Sequence, residues 1–164
     1  MKARYRYRIY PKQEQKTALA QLFGCVRVVW NDSLAFCIEQ YQKEEKKPKN
    51  GDLQKQFITQ AKKTIEREWL GEVSAIPLQQ SLNDLNQAYQ NFFKSCKGIP
   101  PAPLNKGGRK GGRDVKFNVR TGPPRFKKRK SRQSARFTRG GFKVGQHNVY
   151  LAKIGKVKIV WSRE

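Results

Sequence analysis

The residues best placed to do chemistry in this 164-residue sequence are cations. Lys2, Arg4, Arg6 and Arg8 recur at every second position. Residues 125–132 hold six more (Arg125, Lys127, Lys128, Arg129, Lys130 and Arg132) around Phe126. Like charges held in register repel one another, and a phosphate backbone relieves that repulsion while releasing its own counterions. The chemistry these spacings imply is the gripping of a polyanion. The whole chain carries 36 Lys+Arg against 12 Asp+Glu, a net charge of +24, and residues 98–164 hold just two of the acids, Asp114 and Glu164.

Residues for catalysis are harder to find. A metal-dependent nuclease needs several carboxylates converging on divalent ions. Ten of the 12 acids lie at or before Asp84, most of them beside Lys or Arg as on ordinary solvated helices. His147 is the only histidine and falls in a turn-rich segment, so a hydroxyl or thiol nucleophile has no evident base. Gly107-Gly108 lacks the ending of a phosphate-binding loop. Cys25, Cys37 and Cys96 have no CxxC spacing and lie in apolar surroundings, which reads as three reduced core thiols. No catalytic residue, metal or cofactor is assigned, and the chain is expected not to be an enzyme by itself. No run approaches 18 apolar residues and the N-terminus has no apolar signal core. The expected location is the cytoplasm, associated with the nucleoid and not with a membrane.

The elements that must position these cations give an α+β class. Over residues 1–10, Ala3, Tyr5, Tyr7 and Ile9 alternate with the four cations, the period of a half-buried strand. Pro11 ends it. A helix with Ala18, Leu19, Leu22 and Phe23 on one face is predicted to stop at Gly24. A second, about 25–43, carries Val26, Val29, Trp30, Leu34, Cys37, Ile38 and Tyr41 inward and leaves Arg27 free to face a ligand. A third is expected over 53–69 behind Asp52, with Leu53, Phe57, Ala61 and Ile65 inside. The fourth, about 77–96, has Leu78, Leu82, Leu85, Tyr89, Phe92, Phe93 and Cys96 at helical spacing. Residues 11–97 therefore read as a four-helix bundle. Residues 98–124, rich in Pro, Gly and Arg, read as a flexible, disordered linker. Residues 125–164 read as the basic segment followed by an antiparallel β-meander: 135–138, 142–144, 149–151 and 156–161, with basic residues on one face.

Three groups of motifs resemble one family. KARYRYRIYP (2–11) and FGCVRVVWN (23–31) open it. WLGEVS (69–74), LQQSLNDL (78–85) and Phe92-Phe93 follow. PRFKK (124–128), SARF (134–137) and LAKIG (151–155) complete it. Together, and in this order, they resemble the transposon-encoded OrfB/TnpB proteins, RNA-guided DNA endonucleases of insertion sequences related to type V CRISPR effectors. The resemblance implies that strand 1–10 joins the strands of 125–164 in a partial wedge barrel, and that 11–97 is a helix-turn-helix-like recognition domain. It implies structured guide-type RNA and double-stranded DNA as partners. It implies Lys2, Arg4, Arg6, Arg8, Arg27, Arg125, Lys127 and Lys128 as nucleic-acid contacts. Asn31, which closes the FGCVRVVWN motif, is either a contact or an ordinary polar residue of the helix surface. Arg129, Lys130, Arg132 and Arg136 extend the candidate set.

Two departures from the family pattern are visible. Its RNase H-like acidic triad and its CxxC zinc ribbon have no positions in this sequence. About 25 residues, 99–122, stand where the family has a few, with the composition of a translated repeat element. The expected function is nucleic-acid binding by an N-terminal fragment without its nuclease domain. Two rival readings stay open. One is a helix-turn-helix DNA-binding regulator built on 11–43, in which Arg27 reads sequence. The other is a non-functional truncated transposase remnant, whose Val149, Leu151, Val157 and Ile159 would be exposed.

Overall fold

The computed structural model describes residues 6–97 and 122–161. Strand β1 is Arg8–Tyr10 and helix α1 is Gln13–Gln42. A short helix α2, Asn50–Gln54, leads into a wide π turn, Lys55–Gln60, and two 3-10 turns, Ala61–Lys63 and Glu68–Gly71. Helix α3 is Ala75–Lys97. Strands β2 (Phe142–Val144), β3 (Asn148–Leu151) and β4 (Gly155–Val160) follow. The four strands form one antiparallel sheet in the order β1-β4-β3-β2. The class is α+β, as the periodicities imply.

The four-helix expectation needs correction in two places. Residues 13–42 form one 30-residue helix, not two. Gly24 in a helix interior costs about 1 kcal/mol relative to alanine. The stripe that continues through it buries Leu22, Cys25, Val26, Val29, Trp30, Leu34 and Cys37, at about 1.5–3 kcal/mol for each larger side chain. Burial wins. Residues 53–69 fail in the opposite direction. Leu53 and Ile58 are both buried, a spacing of five that a π turn brings to one side, whereas Phe57 is half-buried against Phe36 at 5.5 Å between ring centroids. Thr64 then turns extended, its hydroxyl donating to the Ala61 carbonyl at 2.7 Å, and Ile65 is left 90% exposed. Lys49, not Asp52, stands at the N-cap of α2.

The core joins the inner faces of α1 and α3, where Leu78, Leu82 and Leu85 have no accessible surface. Residues 135–138 are not a strand. Ala135 and Phe137 pack on the helical core, and Arg136 pairs with Asp84 of α3, so this stretch belongs energetically to the helices. Gly141 is packed tightly between α3 and Phe137: a Cβ there would sit 3.0 Å from both the Ile76 Cδ1 and the Phe137 Cδ1. Gly155, at φ +93°, closes the β3–β4 turn in the left-handed region.

Gln15 ties the two layers together. Its Oε1 accepts from the Lys12 N–H at 3.0 Å, capping α1, and its Nε2 donates to the Lys156 carbonyl of β4 at 2.8 Å. Val157 and Ile159 of β4 are buried and Val149 and Leu151 are half-buried, so the exposure expected of a remnant is not what the sheet shows. Of the three cysteines, Cys25 and Cys37 are buried. Cys96 is exposed, against the expectation of a third core thiol.

Candidate nucleic-acid interface

The strand register sorts the sheet into two faces. Ile9, Val149, Leu151, Val157 and Ile159 lie on the inner one. Cross-strand rows on the outer face read Arg8–Val160, then Tyr10–Lys158–Asn148, then Lys156–Tyr150–Lys143. Tyr150 is thus flanked by a lysine on each neighbouring strand, and Tyr10 by one. Tyr150 and Tyr10 are 42% and 48% exposed, and Arg8, Lys143, Lys156 and Lys158 are exposed. Rings alternating with cations suit a ligand that offers both base faces and phosphates.

The second basic surface is a strap, residues 125–133, laid across α1. The Trp30 Nε1–H donates to the Arg125 carbonyl at 3.0 Å. The Asn31 amide makes two bonds with one residue: Nδ2 donates to the Lys127 carbonyl at 3.1 Å, and Oδ1 accepts from the Lys127 N–H at 2.8 Å. The Lys127 ammonium lies 4.1 Å from the centroid of the Trp30 ring. Burial lowers its pKa, partly offset by Asp84. Beyond it, the Gln133 Nε2 donates toward the carbonyls of Lys128, Arg129 and Ser131 at 3.0, 3.1 and 2.7 Å. That gathers the carbonyls inward. Arg125, Phe126, Lys128, Arg129, Lys130 and Arg132 are exposed.

The candidates read from the sequence therefore separate. Lys2 and Arg4 lie outside the described residues. Arg6 and Arg8 are exposed at the sheet edge, with Arg8 on its outer face. Arg27 is half-buried on α1 and makes no hydrogen bond or ion pair among the described residues. Lys127 and Asn31 are engaged with each other, and Arg136 with Asp84. Lys143, Lys156, Lys158, Tyr10 and Tyr150 join the candidates only through the sheet. The signal was present in the alternation of Lys156 and Lys158 with Val157 and Ile159, but it names a face only once the register is known. Among the described residues no three His, Cys, Asp or Glu side chains gather as a metal site, and no helix is long and apolar enough to cross a membrane.

Residues 1–46 match the helix-turn-helix domain of the OrfB_IS605 family. In the described part of that span, β1 is followed by the unbroken α1. The chain is 34% identical, over 99% of its length, to a Streptomyces pristinaespiralis protein named "Putative RNA-guided DNA endonuclease". It is 28% identical over 98% of its length to the Escherichia coli K12 protein of the same description, InsQ. It spans about a third of the length of each (35% and 34%). Nearly the whole of this chain is thus similar to about a third of each of these two proteins, and residues 1–46 carry the matched helix-turn-helix domain.

Proposed function

We propose that this chain is the nucleic-acid-gripping part of a TnpB-like protein, holding structured guide-type RNA and adjoining duplex DNA without cutting either. The observation that carries the reading is the outer sheet face, where Lys143, Lys156 and Lys158 alternate with Tyr150 and Tyr10. Lysines there engage phosphates, and the rings offer stacking to unpaired bases. The family likeness supports the choice of RNA and DNA as partners, since both named relatives carry "RNA-guided DNA endonuclease" in their names. A helix-turn-helix regulator is less well supported, because docking a recognition helix in the major groove needs two helices with a turn between them. Residues 13–42 are one helix.

The test is binding of the purified chain across a salt series to RNA from the flanking element, an unrelated RNA of equal length, and duplex DNA. Lys143→Ala/Lys156→Ala/Lys158→Ala serves as the comparison protein. A preference for the element RNA that persists at high salt, and a slope of log K on log salt shallower by about 2 in the triple variant, are expected. Equal, salt-labile binding to all three ligands would leave charge alone at work and favour the remnant reading.

A further inference from the structure

We propose that Trp30 and Asn31 are positioning residues: they hold the basic strap in the conformation that meets nucleic acid, and touch no nucleic acid themselves. This rests on the reading of the strap as a nucleic-acid surface. Six like charges within eight residues would repel into an extended, mobile chain if left alone. Here two consecutive residues of α1 make three hydrogen bonds to the backbone of Arg125 and Lys127. Both polar ends of the Asn31 amide are committed to the same Lys127 peptide groups. A phosphate or base at Asn31 would have to displace them. Trp30 is 8% exposed, with its one polar atom spent on the Arg125 carbonyl and its ring under the Lys127 ammonium.

The clasp divides the strap's work. Lys127 is the cation that fastens it. Arg125, Lys128, Arg129, Lys130 and Arg132 are the cations left exposed, and Gln133 holds the backbone around the last four through the carbonyls of Lys128, Arg129 and Ser131. Since α1 also anchors the sheet through Gln15, one helix fixes both basic surfaces.

The test is a two-by-two set on the full chain: wild type, Asn31→Ala, the strap variant Lys128→Ala/Arg129→Ala/Lys130→Ala/Arg132→Ala, and the two combined. Each is titrated with a labelled single-stranded RNA from low to high salt, with hydrogen exchange of the peptide spanning 123–133 alongside. Four strap cations can contribute about 2.8 to the salt slope on a single strand. Asn31 is uncharged, so losing it as a direct contact would leave the slope unchanged. As a positioning residue its loss makes the slope shallower by about 1 or more and weakens binding about tenfold at low salt, with faster exchange at 123–133 and unchanged exchange in α3. In the strap-variant background, Asn31→Ala then has no further effect on binding. An unchanged slope, or additive losses in the combined variant, overturns the proposal while leaving the strap as a ligand surface. If the strap variant itself binds like wild type, the reading beneath the proposal fails instead. Trp30→Phe, which keeps an aromatic face but replaces the indole and removes its N–H, repeats the test from the neighbouring bond. It is expected to reproduce the slope change in weaker form, and an unchanged slope there overturns the part assigned to Trp30.

Discussion

Replacing Tyr150 with alanine should separate single-stranded from duplex ligands. Tyr150 is 42% exposed on the outer face, opposite Lys143 on β2 and Lys156 on β4. Those lysines can hold phosphates on either side of a base stacked on it. An aromatic–base stack is worth about 1–3 kcal/mol, so Tyr150→Ala should raise the dissociation constant for single-stranded RNA by about 5- to 150-fold. The salt slope should not move, because no charge is lost. Duplex DNA keeps its bases stacked internally, and its affinity should change by less than about twofold. Stability should fall by less than about 1 kcal/mol, the range of a cross-strand pair on an exposed face. Tyr150→Phe keeps the ring and should bind like wild type. Fluorescence anisotropy with the two ligands, paired with thermal melts, reads all of this. Equal losses on RNA and duplex, or an unaltered RNA affinity, would refute the stacking role.

Gly24→Ala should raise stability by about 1 kcal/mol, because Gly24 is in a helix interior with open space where a Cβ would go; a loss of stability would mean the chain turns there. A maleimide reagent should label the exposed Cys96 quickly and Cys25 and Cys37 only on unfolding, and fast labelling of all three would contradict the packing of α1. Burial pushes the Cys25 thiol from 9.0 up to about 11 and the Tyr89 phenol from 10.0 up to about 12. Both ionise earlier in the unfolded chain, so their contribution to stability is complete below about pH 9 and lost between pH 9 and 12. Urea midpoints should fall across that window, and Tyr89→Phe should flatten its upper part; midpoints flat from pH 8 to 12 would show that neither group is desolvated.

What could be read from the sequence followed from signals that are local. Leu78, Leu82 and Leu85 repeat at helical spacing and lie at the centre of the core. The strands of 142–160 are bounded by glycines that close their turns. What could not be read depended on competition between distant parts. Gly24 looks like a helix end until the burial on both sides of it is weighed. The SARF stretch alternates like a strand, but Arg136 has a carboxylate partner on α3 and Phe137 a place on the helical core. The interface shows the same division. The charge of the strap is visible at once, but that Lys127 and Asn31 face each other across 96 positions is not. Lys143, Lys156 and Lys158 become one surface only through the pairing of three strands.

The pairing of β1 with β4 also dictates an order of assembly. Arg8 lies opposite Val160, so the outermost strand pair closes over nearly the whole described chain. The α1–α3 pair needs only residues up to 97 and can pack while the rest is still being synthesised. The clasp at Trp30 and Asn31 can form once residue 127 has emerged. Until β4 is made, β1 has no strand to pair with, and any pause or break in synthesis before residue 155 leaves a folded helical body with the Arg8–Tyr10 segment open to pairing with another chain.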